Sequence, residues 1–169
     1  MRRLICAAAA TFALVATGCS TEGLAFIEDQ RVEIVAPDYR ELLELPVTVD
    51  WEVAEGLAAK LGSEYEFGVY VDIDPQPPGE PLEYFARDDV QCRKSPGCPD
   101  ERYLRQRGIH TSTSSEMTFG ALPVAPGVDL ERGDPDFHEV TLVLLDQDGV
   151  RVGESAWAII FEVDRGAQS

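Results

Sequence analysis

Apolar and polar residues alternate along most of this 169-residue chain, and the period is two. Such alternation puts every second side chain on one face of a strand. Over 46–54, Val47, Val49, Trp51 and Val53 alternate with Thr48, Asp50 and Glu52, which predicts a half-buried strand with Trp51 facing the core. The same pattern runs through 64–74, with Tyr65, Phe67, Val69, Val71 and Ile73 on one side. It also runs through 24–36, with Phe26, Val32, Ile34 and Ala36, and a shorter candidate covers 116–122. Towards the C-terminus, 137–145 leads into Asp146-Gln147-Asp148-Gly149, and 150–163 returns. Asp-Gly between two β-rich runs predicts a hairpin in which Gly149 supplies the positive φ of a primed turn. Val140 to Leu145 is apolar on both faces, which places that strand centrally, and its partner turns Trp157, Ile159, Phe161 and Val163 to the core.

Helix signals are few. Residues 39–45 make a brief turn at most, and 54–61 holds good helix formers but serves equally as a connection between strands. The better helix is 99–107, with Pro99 at its first position, Asp100 and Glu101 at the positive end of the dipole, arginines at the other end and Gly108 as cap. Pro75 to Pro81 reads as a stiff connection with polyproline character, followed by Tyr84 and Phe85 as either core or exposed aromatics. Six to eight strands, turn signals between them and one short helix predict an all-β, antiparallel β-sandwich. Its Trp-bearing early strand, its long apolar late hairpin and its length resemble an immunoglobulin-like domain, without the Cys…Trp…Cys spacing of antibody domains; a closed barrel is the alternative.

The first residues carry an address. Arg2 and Arg3 precede an apolar stretch, Leu4 to Ala16, that is interrupted only by Thr11 and is too short to span a bilayer, which takes about 20 residues. Ala16-Thr17-Gly18-Cys19 resembles the lipobox of bacterial lipoproteins, with Ala16 where that family prefers Leu. The resemblance implies removal of residues 1–18 as a signal peptide, lipidation of Cys19, a tether over 19–23, and a location on the outer side of the cell membrane or outer membrane. An ordinary signal-peptidase cut at the same place is the other reading. The remainder divides into one β-sandwich domain over 24–165 and a tail over 166–169. Losing the leader removes Cys6 and leaves Cys19, Cys92 and Cys98. A Cys92–Cys98 disulfide, closed across the Pro96-Gly97 turn and permitted outside the cytoplasm, leaves Cys19 as the odd thiol that acylation explains.

Charge then narrows the functional classes. The chain holds 14 Lys and Arg against 31 Asp and Glu, a net charge of −17, which excludes nucleic-acid binding through a general basic surface. Without Arg2 and Arg3 the net charge is −19. It is unevenly spread: residues 87–107 carry a net +2, from Arg87, Arg93, Lys94, Arg102, Arg105 and Arg107 against Asp88, Asp89, Asp100 and Glu101, on a body of net −21. This basic, disulfide-stapled insert either caps one end of the sandwich with its arginines paired to the acidic body, or presents Arg93, Lys94, Arg102 and Arg105 to a protein or other anionic partner.

Other chemistry is thinner. Asp72-Ile73-Asp74 puts two carboxylates on one strand face, while Asp88-Asp89, Asp129-Leu130-Glu131, Asp134-Pro135-Asp136 and Asp146-Gln147-Asp148 fall in loops. Acidic loops of this kind suggest a calcium-binding module, although none has EF-hand spacing. The two histidines, His110 and His138, would need to converge with a third ligand to hold zinc or copper, and no Gly-x-Ser-x-Gly elbow marks a hydrolase. The expectation is therefore a non-enzymatic binding or structural module, held to a membrane by its N-terminal lipid, with no cofactor, no metal site and no catalytic residues. A calcium-binding module is the alternative, ahead of a hydrolase with an unrecognised site.

Overall fold

The computed structural model describes residues 29–123 and 134–165. The predicted signal peptide, lipobox and tether lie outside them, as do residues 24–28 of the first predicted strand, Asp129-Leu130-Glu131 and the C-terminal tail.

The described chain is mostly β, in two sheets. Strand β1 (Val32–Ala36), β3 (Val47–Val53) and β6 (Glu116–Phe119) form a three-stranded antiparallel sheet in the order β1-β3-β6. The other sheet has the order β2-β8-β7-β4-β5, from β2 (Leu42–Leu43), β4 (Tyr65–Val71), β5 (Ile109–Ser112), β7 (Asp136–Asp146) and β8 (Trp157–Val163). All of its pairings are antiparallel except β2 with β8. Alternation selects the shared core. Val32, Val47, Val49, Trp51 and Phe119 from one sheet and Phe67, Val69, Val71, Val140, Leu142, Leu144, Trp157, Phe161 and Val163 from the other form a single buried cluster. Trp51 meets Phe67 edge-on at 5.4 Å between centroids, a favoured geometry for aromatic pairs.

The five-stranded sheet is buried on its outer face as well. Tyr70, Val143 and Leu145 form a second cluster with Leu104 and Ile109, lined by Ile73, Leu82, Phe85 and Tyr103. These covering residues belong largely to the segment between β4 and β5, which holds a 3-10 turn (Leu82–Ala86), α2 (Val90–Lys94) and α3 (Glu101–Arg105); a four-residue α1 (Glu55–Ala58) sits earlier, between β3 and β4. Val140 to Leu145 is apolar on both faces because each face has a cover, and β7 is central, between β8 and β4.

Several expectations change at the edges of elements. The insert contains two α-helices, not one, and Asp100 rather than Pro99 starts the second: its carboxylate accepts from the Tyr103 amide at 2.7 Å, an N-cap bond. Residues 42–43 form a short strand where a turn is expected. β4 stops at Val71 because Asp72 takes φ 56°, so the alternation breaks there. Ile73 consequently joins the outer cluster instead of lying beside Val71, and Asp72 and Asp74 are not successive residues on one strand face. The C-terminal hairpin forms, but not with a primed turn. Gly149 alone has positive φ (72°), its amide donates to the Asp146 carbonyl, and the Asp146 amide donates to the Val150 carbonyl. That is a three-residue loop with glycine in the left-handed position. The Asp146 carboxylate ties it by accepting from the Asp148 and Val150 amides, both at 2.9 Å. The returning strand starts only at Trp157, because 153–156 leave the ladder.

Candidate functional site

The basic insert is built around Asp89. This residue caps α2, its Oδ1 accepting from the Gln91 amide at 2.9 Å and the Cys92 amide at 3.0 Å. Its other oxygen accepts from the Tyr103 hydroxyl at 3.1 Å and pairs with the Arg107 guanidinium at 3.4 Å, which joins α2 to α3 and to the chain beyond it. The Cys92 amide, with help from Tyr103 and Arg107, holds the Asp89 carboxyl below the usual carboxylate range. Arg107 also lies 3.5 Å from the Tyr103 ring centroid. Cys92 and Cys98 are joined by the expected disulfide, and Cys92 is buried. On the inner side, Leu104 and Phe85 are seated on Tyr70 and Val143. The insert is thus fixed to the sheet by apolar packing and to itself by polar bonds.

Its cations divide into two groups. Arg87 pairs with Asp88 at 3.5 Å and lies over Tyr84 at 4.0 Å, Arg105 pairs with Glu101 at 2.7 Å, and Arg107 pairs with Asp89. Every one of these partners belongs to the insert, so among the described residues no ion pair joins the insert to the acidic body. Arg93, Lys94 and Arg102 are exposed, and their side chains have no hydrogen bond or ion pair among the described residues. The structure therefore places all four predicted partner-binding residues on α2 and α3, three of them unengaged and Arg105 in an i,i+4 pair.

A second polar cluster escaped the sequence reading. His138 has only 1% of its side chain exposed, with Nδ1 2.7 Å from Asp72 Oδ2 and Nε2 3.1 Å from Asp136 Oδ2. Arg165 donates from Nε to that same Asp136 oxygen at 2.5 Å and from Nη2 to the Leu122 carbonyl at 2.5 Å. Burial opposes charge on His138, but the bonds to the two carboxylates outweigh it and raise the imidazole above its ordinary value. The signal available was Asp136-x-His138, which alternation turns to one face; nothing in the sequence brings Asp72 and Arg165 to it.

The two histidines do not converge. His110 on β5 stands opposite Val69, which stands opposite Leu142 on β7, four residues beyond His138. Two strand spacings and four residue rises separate them by roughly 16 Å. His110 is pushed down by burial, and by Arg105 next, and it meets Phe119 edge-on at 5.6 Å. Among the described residues no group of three His, Cys, Asp or Glu is arranged to hold a metal ion, and no helix is long and apolar enough to cross a membrane. One carboxylate of each described acidic pair is used within the fold, with Asp72 on His138, Asp89 as a cap, Asp136 on Arg165 and Asp146 in its hairpin.

The opposite end of β8 holds the start of the described chain. The Trp157 indole donates to the Asp29 carbonyl at 2.7 Å, and the Ser155 hydroxyl bonds the Asp29 carboxylate at 2.5 Å. Arg31 bonds that carboxylate too and, ahead of Ser155, holds it far below the usual range. Compared with known proteins, the chain matches no protein family, no curated protein and no solved structure.

Proposed function

We propose that this chain is the precursor of a bacterial lipoprotein, and that its folded part is a non-enzymatic binding module of immunoglobulin-like type. The strand orders β1-β3-β6 and β2-β8-β7-β4-β5 support the immunoglobulin-like reading, because the chain crosses between the sheets from β3 to β4, from β5 to β6 and from β6 to β7, with β7 central in the larger one. The anchor is Cys19, lipidated after loss of residues 1–18. Ten residue steps separate Cys19 from Asp29, so the body lies within roughly 35 Å of the membrane surface, on its outer side. Asp29 is fixed to the start of β8, which makes that end the attachment point.

The observation that carries the binding function is the set of unengaged cations on a rigid mount. Arg93, Lys94 and Arg102 stand on a stapled, internally bonded insert while the neighbouring Arg87, Arg105 and Arg107 are neutralised within it. A chain of net −17 that leaves cations unpaired on its one basic segment offers an acidic protein partner a local match. Arg105 completes the surface when a partner carboxylate replaces Glu101.

Pull-down from detergent-solubilised membranes, comparing the wild type with R93E/K94E/R102E, tests the reading. The wild type should retain a partner that the variant loses, with both proteins melting alike. Identical partner sets overturn it. Mass spectrometry of the same fraction tests the anchor, which requires a diacylated N-terminal Cys19; an unmodified Cys19 in soluble protein overturns that part alone.

A further inference from the structure

Four chain segments close one end of the two-sheet body, and all of them meet at His138. Asp72 follows β4 and faces Nδ1; Asp136 precedes His138 on β7 and faces Nε2; Arg165 follows β8 and bonds Asp136. Phe161 of β8 stands against the ring at 6.1 Å, and the segment after β6 contributes the uncharged Leu122 carbonyl, held by Arg165 Nη2. Among the described residues, the charged groups bonded to one another here are two carboxylates, one guanidinium and the imidazole itself.

With a proton on both ring nitrogens, each nitrogen donates to a carboxylate and the four charges cancel. Loss of one proton leaves a buried net charge of −1 and a lone pair on Nε2 facing Asp136. The donor nearest that lone pair is Arg165 Nη2, at 3.3 Å, the same nitrogen that holds Leu122. We propose that His138 is a proton-operated latch: charged, it leaves Arg165 to clamp the segment after β6 to the end of β8; neutral, it draws Arg165 away and loosens that clamp. Nη2 is within reach of both the Leu122 carbonyl and the ring nitrogen, so a neutral ring competes with that carbonyl for one donor nitrogen. The direction of the His138 shift agrees, since the bonds to Asp72 and Asp136 overcome the burial that opposes charge. A raised folded value means that the latch contributes fully below the ordinary histidine value near 6.5 and is lost as pH rises through the folded one.

Nuclear magnetic resonance on the intact folded chain tests this directly, because it has only two histidines and their shifts run in opposite directions. The His138 ring should titrate with a midpoint above 6.5, and the Arg165 Nε–H and Leu122 carbonyl resonances should move with the same midpoint. In Arg165→Gln the ring should still titrate while the Leu122 response disappears. A His138 midpoint below 6.5 overturns the proposal, as does titration of the ring without any response at Arg165 and Leu122, and as does a Leu122 response that survives Arg165→Gln. The wild-type titration decides the matter even if the variant does not fold.

Discussion

Gly108 is where the insert rejoins the sheet, and a missing methyl group decides whether it can. Its φ is +76°, and a Cβ there would stand 2.4 Å from the Val71 carbonyl oxygen, which is backbone and has little room to move. Gly108→Ala should therefore destabilise by more than about 1 kcal/mol in chemical denaturation, since alanine suits neither the dihedral nor the space. Gly120→Ala is the control: nothing lies within 4 Å of its added Cβ, and a change within about 0.5 kcal/mol is expected. The left-handed glycine at 108 was legible as a helix stop, because a glycine after a run of arginines is a strong signal. Asp72 was not. Its φ of 56° depends on bonds that its carboxylate makes to the His138 ring and the Glu139 amide, 66 and 67 residues away, and no local pattern records them.

Among the elements, the insert shows how an apolar signal can be read correctly without its cause. The double-sided apolar character of β7 places that strand centrally, but the layer covering Val143 and Leu145 is one short helix, α3, and a 3-10 turn whose apolar positions are scattered over Leu82, Phe85, Tyr103 and Leu104. Elements of four or five residues hold too little period to reveal a face. β8 was overextended for a related reason: Val150 and Val152 continue the alternation, yet Arg151 pulls 153–156 out of the ladder through bonds to the Glu154 and Ser155 carbonyls. The disulfide is the insert's covalent staple. Its seven-residue loop predicts a loss of about 2 kcal/mol in the Cys92→Ser/Cys98→Ser double variant, from denatured-state entropy alone. The two-sheet core does not use these sulfurs, so the variant should remain folded with a lower denaturation midpoint. A variant that is unfolded at room temperature would mean that the insert holds the sheets together rather than covering one of them.

At the scale of the whole molecule, charge sets the pH behaviour and is the basis of the proposed function. The Asp29 and Asp89 carboxyls are held below their ordinary range, Asp29 chiefly by Arg31 and Asp89 chiefly by the Cys92 amide. Their stabilisation is present above the ordinary carboxylate value near 4 and lost as pH falls below it, while that of His138 is lost as pH rises through its raised value. The melting temperature should therefore fall as pH rises above about 6.5 and fall again towards about pH 4, with the lowered His110 adding to the fall on the acid side. His138→Gln should flatten the alkaline side only, and an unchanged alkaline side would remove His138 from the account. Partner specificity belongs to the same scale, because an exposed cation matters here only against the acidic body around it. A photo-crosslinking residue placed at Arg93 or Arg102 in intact cells measures this most directly, with Glu33 on the three-stranded sheet as the comparison site. The account predicts one discrete crosslinked species from positions 93 and 102, none from 33, and its loss when Lys94 is reversed to Glu. The same species from all three positions, or none from any, would contradict it.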